Sequence, residues 1–378
     1  MEYELSAEQE ALREATQRFL NAECPLAVVR ELADESPGYR PGLWRTAARL
    51  GWTSMLVPEE YGGGSVSGDG LRDLAIIAEE CGRMVAPGPL HPVNIVASTI
   101  ATAGTAEQRS ALLPAIAAGE TVVSWAFCEP PSRWRAQDVR LTATATDGGF
   151  VLRGEKSAVE AAAQSSHLLV TARTEGGLSQ FIVPADLPGI SVTELKSIDL
   201  VRRFGDVRFD DVEVGAATVV GRLGAAEADV EYQLQLALSL QCAEMVGAVD
   251  RVFSFTVQEA FNRYSFGRQL ASYQALKHRF ADMRLWLEAC HATATAAIRA
   301  TQARADNAKE LTSVAKAYIG DHGPEIIQDC IQLHGGIGVT WEHDLHLYLR
   351  RVTLDRELNG APAEHRERIA ALIGGSET

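Results

Sequence analysis

The sequence has no surplus of positive charge. Its 35 Lys and Arg stand against 50 Asp and Glu over 378 residues, a net charge of -15. A nucleic-acid or anionic-membrane partner demands a basic face, so neither is expected. The six cysteines, Cys24, Cys81, Cys128, Cys242, Cys290 and Cys330, are scattered with no C-x-x-C pair. That spacing suggests neither a zinc site nor a disulfide framework, and no metal is expected. No apolar run reaches the ~18 residues of a membrane span. Met1-Glu-Tyr-Glu-Leu5 has neither the basic nor the apolar region of a signal peptide, so a cytoplasmic chain is expected. Internal repeats and low-complexity segments are also missing.

What is present is the composition of an ordinary globular protein, 46% hydrophobic and 22% charged. The chain is too long for one compact core, so two or three domains are expected. Ser6-Ala-Glu-Gln9 has the form of a capping box, and Leu12, Ala15 and Phe19 follow it at helical spacing. Further helical patterns run over Leu43–Leu50, Leu71–Met84 and Pro92–Ala103, while Val57–Gly64 reads as a loop. Residues 1–120 are therefore expected to be all-helical. From Thr121 the texture changes to short β-branched and aromatic runs: 121–127, 139–145, 150–152, 167–172, 180–183 and 207–209. Gly-rich turns separate them, which predicts a small β-barrel or sandwich over 121–222. Helical periodicity then returns over 223–378. Leu238, Cys242, Met245, Val249 and Val252 form one seam. Leu276, Phe280, Met283, Leu287, Cys290 and Ala294 form a second, and Leu311, Ala315, Tyr318, His322 and Ile326 a third. A shorter helix is expected from Pro362 to Gly374. Together these four predict an up-down four-helix bundle.

Between the first two seams lies Arg263-Tyr-Ser-Phe-Gly-Arg-Gln-Leu-Ala-Ser-Tyr-Gln274. A second motif, Gln332-Leu-His-Gly-Gly-Ile-Gly338, follows the third seam. Weaker signals are Glu129-Pro130, Gly154-Glu-Lys156 and Pro58-Glu-Glu-Tyr-Gly-Gly63. In this order and spacing the chain resembles the acyl-CoA dehydrogenases over nearly its whole length.

The resemblance implies dimers or tetramers with FAD at a subunit interface, the flavin ring in one subunit's barrel and the pyrophosphate and adenosine on its neighbour's bundle. It implies that Arg263 pairs with the pyrophosphate, for which a planar, always-charged fork is suited. Ser265 donates there, Phe266 packs on the cofactor, Gln274 bonds near it, and Gln332, Gly335 and Gly336 bring backbone close to it. On residues alone the alternatives are a solvated charge for Arg263, core for Phe266 and a helix C-cap for Gly335-Gly336.

The family's reaction removes a proton from the α-carbon of an acyl-CoA and passes a hydride from the β-carbon to flavin, so a carboxylate base is needed. The two positions where the family places it fall on Asn359 and Ala237, neither of which accepts a proton. The family's Thr-Glu-Pro is Cys128-Glu-Pro130 here, its Gly-Ser-Asp is Arg133-Trp-Arg135, and its ring-facing Trp and Thr are Ala158 and Glu160. Trp125 and Phe127 remain as apolar wall or barrel core. Glu244, Glu357 and Glu160 are candidate relocated bases; capped, solvated or interhelical carboxylates are the alternatives. The losses fall on the parts that cradle ring and substrate within a subunit, whereas the kept motifs face a neighbour. Three readings follow. The chain is a partner subunit in an α2β2 assembly, as the family has in actinobacterial steroid and lipid breakdown. Or it is a self-sufficient homotetrameric dehydrogenase with a moved base. Or it is a flavin-free descendant that binds a CoA ester or serves as a scaffold. The family's usual electron acceptor is an electron-transfer flavoprotein.

Overall fold

The computed structural model describes residues 5–131 and 134–374. Six α-helices come first: α1 (Ala7–Glu23), α2 (Leu26–Glu31), α3 (Pro41–Arg49), α4 (Gly70–Met84), α5 (Leu90–Ala103) and α6 (Ala106–Ala117). The Ser6 side chain accepts the Gln9 N–H and the Gln9 side chain accepts the Ser6 N–H, so α1 starts with the capping box its sequence carries. Thr105 and Gln108 repeat the device at α6, a helix the apolar periodicity alone did not reveal.

Eight strands follow: β1 (Val123–Ala126), β2 (Thr142–Thr146), β3 (Gly149–Glu160), β4 (His167–Thr174), β5 (Gly177–Pro184), β6 (Ile190–Leu195), β7 (Phe204–Gly215) and β8 (Val219–Val220). They form one sheet in the order β6-β7-β3-β2-β4-β5-β8, with β1 alongside β4. The long β3–β7 pair shifts register at Leu152/Gly154 and at Lys156/Val159. Such bulges bend a sheet and re-aim the side chains beyond them, and Ala158 and Glu160 lie at or beyond the second shift. Phe150, Leu152, Leu168, Val170, Phe181 and Phe209 fill the core of the sheet. Edge strand β6 went unread because none of its residues is fully buried, so it needs no apolar run.

The remaining chain is helical: α7 (Glu227–Asn262), a hairpin of β9 (Tyr264–Ser265) and β10 (Arg268–Gln269), then α8 (Gln274–Gln302), α9 (Ala308–His334), α10 (Leu345–Glu357) and α11 (Pro362–Gly374). Cys242, Met245, Val249 and Val252 meet Met283, Leu287, Cys290 and Ala294 in the bundle core. On α9 the buried stripe is Ala315, Ile319, Ile326 and Ile327. Tyr318 and His322 stand on its flank, where the His322 ring stacks on Trp286 at 5.2 Å. Helix α10 was not foreseen. Its buried face carries Arg351 and Asp355 among Leu347, Tyr348 and Val352, and two buried charges break the apolar pattern.

Helices α4 and α7 cross at close range. A Cβ at Gly82 would stand 1.9 Å from the Glu244 carbonyl, and one at Gly247 would stand 1.9 Å from the Glu79 carbonyl. Only glycine allows this approach. It brings the N-terminal helices, the sheet and the bundle to one junction, where Ile95, Trp125, Phe127 and Leu234 share a core. Among the described residues no helix is long and apolar enough to cross a membrane, and no cluster of three metal-ligating side chains occurs.

Candidate functional site

Two places collect the residues singled out by sequence. The first is the end of the bundle. Helix α7 stops at Arg263, and the chain turns through Phe266 (φ 48) and Gly267 (φ 79). Positive φ at both central positions is the type I′ form of a two-residue hairpin turn. Glycine meets that freely, whereas phenylalanine does so under strain. Phe266 is 98% exposed, so no contact within this chain compensates. The hairpin is otherwise well held. The Tyr273 hydroxyl donates to the Ser265 carbonyl at 2.7 Å, the Leu270 N–H donates to the Arg263 carbonyl at 2.9 Å, and the Arg268 guanidinium sits 3.8 Å from the Tyr273 ring centre. Gln274 opens α8 directly behind it.

Arg263 joins this hairpin to the second motif. Its Nη1 donates to the His334 carbonyl at 2.6 Å. Gly335 caps α9 at φ 65, ψ -142, donating its N–H to the Gln332 carbonyl, and a Cβ there would lie 3.6 Å from the Arg263 fork. The C-cap role and the close approach therefore coexist at one glycine. Arg263 is exposed, and among the described residues no carboxylate pairs with it. Phe266, Gln274, Gln332 and Gly336 are exposed as well. Around them stand Phe261, Tyr264, Ile337, Val339 and Trp341, all at least half exposed.

The second place is the junction of the three layers. Ala158, Glu160, Ala237 and Asn359 line one cavity there, together with Trp125, Trp134, Arg202 and Phe204. The positions the resemblance assigned to ring contact and to the base thus do converge. The cavity, however, measures about 30 Å³. That is an order of magnitude below the ~300–1,000 Å³ of a small-molecule site. Side chains take up the space. Trp125 stacks on Phe127 at 5.1 Å, and Trp134 lies 6.4 Å from each. Arg133 falls outside the described residues. Arg202 enters from the stretch before β7 and clasps Glu160 through two bonds of 2.7 and 2.6 Å. As it stands, this cavity is smaller than an isoalloxazine ring.

Ion pairs continue behind Arg202. It reaches Asp355 at 2.5 Å and Glu244 at 3.6 Å. Glu244 also meets Arg351 at 2.5 Å and His91 at 3.1 Å, and Arg351 meets Asp199 at 2.5 Å. Burial would raise the Glu244 carboxyl, but Arg351, His91 and Arg202 hold it well below the carboxylate range. A carboxylate so stabilised is a poor general base. Glu357 points away, paired with Arg356 and largely exposed. Asn359 offers its Nδ2 to Gln241 at 3.4 Å and its carbonyl to His365 Nε2 at 2.9 Å. Of the three candidate bases only Glu160 lines the cavity, and its charge is balanced by Arg202.

Two of the three weaker motifs find a structural account. Lys156 donates to Glu129 at 2.6 Å and to the Phe127 carbonyl at 3.1 Å. Glu129 also accepts the N–H groups of Arg140 and Leu141. Glu129-Pro130 and Gly154-Glu-Lys156 are two ends of one buried ion pair. Burial lowers the Lys156 ammonium to about 8 despite Glu129, and burial raises the Cys128 thiol to about 12.

Three family models match the chain in turn: the N-terminal domain of acyl-CoA dehydrogenase over residues 6–120, the middle domain over 124–212 and the C-terminal domain over 230–374. The chain belongs to the acyl-CoA dehydrogenase family, oxidoreductases acting on CH–CH bonds. It is similar to acyl-CoA dehydrogenase IpdE2 of Mycobacterium tuberculosis, 28% identical over 97% of each chain. The IpdE2 of Mycolicibacterium smegmatis is 25% identical over 98% of this chain and all of its own. A solved variant of the Tcur3481–Tcur3483 steroid acyl-CoA dehydrogenase is 28% identical, with a TM-score of 0.88 over 98% of this chain and 99% of its own. Butyryl-CoA dehydrogenase from Megasphaera elsdenii, at 21% identity and a TM-score of 0.90 over 99% and 100% of the two chains, shares the fold.

Within this family member, sequence reading missed the residues that close the junction: His91, Asp199, Arg202, Arg351 and Asp355. Two signals were available. Arg202-Arg203 and Arg350-Arg351 are doubled arginines in otherwise apolar surroundings, and Asp355 follows Arg351 at helical spacing.

Proposed function

We propose that this chain is the non-catalytic subunit of an FAD-dependent acyl-CoA dehydrogenase, presenting its bundle end to a cofactor whose ring sits in a related partner chain of an α2β2 tetramer. One contrast carries the reading. The junction that would hold a ring in this chain leaves only about 30 Å³, while at the bundle end Arg263 has no carboxylate partner among the described residues and Phe266 is 98% exposed. The residues there suit the nucleotide half of FAD. Arg263 would hold the pyrophosphate with Ser265, Phe266 and Gln274 would contact the cofactor, and Gln332, Gly335 and Gly336 would admit it close to backbone. Bound FAD supplies the hydride acceptor for α,β-dehydrogenation of the acyl-CoA. The Tcur3481–Tcur3483 relative, a two-chain steroid enzyme by name, supports a heteromeric partner and a steroid side-chain or other lipid acyl group. An electron-transfer flavoprotein as acceptor and a cytoplasmic location complete the proposal.

Arg263→Ala tests it in the co-purified complex. Loss of a charge-assisted fork to phosphate should weaken FAD retention by roughly ten- to a hundredfold, read as flavin absorbance per tetramer after gel filtration. Unchanged flavin content would count against the bundle-end role. The self-sufficient homotetramer instead requires flavin on the chain expressed alone, and the flavin-free reading requires none with any partner.

A further inference from the structure

Gly335-Gly336 is only the front of a longer loop. A 3-10 turn runs from Gly335 to Val339, and the chain then reaches α10 through Thr340–Asp344. The loop lies against the end of α9, where a Cβ at Gly338 would stand 2.5 Å from the Ile331 carbonyl. Thr340 closes its tip by donating its N–H and its hydroxyl to the Ile337 carbonyl, at 3.1 and 3.0 Å. The front end is held from within the bundle, by Arg263 on the His334 carbonyl at 2.6 Å.

The back end is held from another layer. Arg30 lies on α2, more than 300 residues away in sequence. Its Nη1 donates to the Trp341 carbonyl at 2.8 Å, and its Nε and Nη2 reach Asp344 Oδ1 at 3.2 and 2.8 Å. Its guanidinium also stands 5.5 Å from the centre of the Trp341 ring, on which the His346 ring stacks at 4.4 Å. A planar fork that serves a carbonyl and a carboxylate at once fixes the backbone between them in position and direction. Helix α2 is itself tied down: Arg203 Nη2 donates to the Ala33 and Glu35 carbonyls just beyond it, at 2.8 and 2.9 Å. The Arg30 and Asp344 side chains are 23% and 42% exposed, and a pair so exposed adds little to global stability. Its effect is local, ordering a glycine-rich turn that has more backbone freedom to lose than other segments.

We infer that Arg30 is a positioning residue for the nucleotide. Resting on the cofactor-sharing reading, it holds residues 335–340, from the N-terminal layer, in the shape that admits FAD close to the Gly335 and Gly336 backbone. Arg30 acts through the loop, because its fork is committed to Trp341 and Asp344. Without it the turn would have to be ordered when FAD binds, at a cost in affinity.

Two measurements test this role. Hydrogen exchange on this chain alone, which needs no flavin, should be roughly tenfold faster over residues 335–340 in Arg30→Ala, with the bundle core unchanged. FAD titration of the flavin-stripped complex with its partner chain should show affinity weakened roughly tenfold in Arg30→Ala. Arg30→Lys, which can reach Asp344 but not the Trp341 carbonyl at the same time, should fall between that variant and wild type. Arg263→Ala is the control. If it weakens FAD binding and Arg30→Ala does not, the positioning role is overturned and the cofactor-sharing reading stands. If Arg263→Ala leaves FAD affinity unchanged, that reading falls and the positioning role with it. Unchanged exchange over 335–340 also overturns the role, as does a lower melting temperature of Arg30→Ala with unaltered FAD affinity.

Discussion

Arg202 and Arg351 are both buried, and between them they meet Glu160, Asp199, Glu244 and Asp355. Removing such ions from water costs several kcal/mol each, and only close, well-bonded partners offset it. Arg351→Met should therefore lower stability by about 3–5 kcal/mol, because the buried Asp199 would lose its ion-pair partner and Glu244 the nearest of its three; urea denaturation checks this, and a loss under about 1 kcal/mol would disprove it. The pH dependence follows from the same charges. Burial opposes the charged forms of Asp199 and Glu244, but Arg351 with the Arg202 and Val201 N–H groups for Asp199, and Arg351, His91 and Arg202 together for Glu244, outweigh it and both carboxyls are depressed. Their contribution is present above the unfolded carboxylate range and is lost as pH falls through the folded values. Asp355 acts oppositely. Burial raises it to about 6, so the fold holds a proton the unfolded chain has lost, and its contribution declines between about pH 4 and 6. His365, lowered to about 3 by burial, is neutral when folded and charges first when unfolded. Stability should fall with acid below about pH 6.5, by up to ~1.4 kcal/mol per pH unit from this group. His365→Gln should remove that slope, so the melting temperatures of variant and wild type should converge between pH 7.5 and 5. A constant difference would mean that His365 does not titrate in this way.

At the scale of elements, the α4–α7 crossing decides whether the junction closes. Gly247→Ala pushes a methyl into the Glu79 carbonyl, whereas Gly148→Ala meets nothing within 4 Å at an unstrained φ. The first should cost about 1–3 kcal/mol and the second less than about 0.5 kcal/mol, measured by thermal melts; equal costs would remove the crossing from the account. These elements also show what sequence reveals. The capping box at Ser6, the α7 seam and the strands rich in β-branched residues were legible because each obeys one local period. Helix α10 was not, since its buried face mixes Arg351 and Asp355 with Leu347 and Val352. Nor was the α9 stripe, where Tyr318 and His322 are ring-packed on the flank and mimic a core seam. Asn359 and Ala237 could be named as deficient positions, but their convergence on one small cavity depends on the β3 bulge and the turn after α10. The Arg202 clasp on Glu160 joins residues 42 apart in sequence, and no local pattern encodes it.

At the scale of the molecule, the proposed partner role rests on the contrast between a small, closed junction and an exposed bundle end. Arg202, Trp125 and Trp134 line the small cavity at the junction. The face that would bind a nucleotide ends in a strained, solvent-exposed phenylalanine amid other exposed apolar side chains. On the proposed reading this patch is the surface that meets the partner chain. Co-expression with a related, complete acyl-CoA dehydrogenase chain should give a heteromer with half as many flavins as chains. The most direct test is the flavin content of this chain expressed and purified alone in the presence of FAD. No bound flavin, with flavin appearing once the partner chain is added, is the expected result. One FAD per chain in the isolated protein, with turnover of an acyl-CoA, would contradict it.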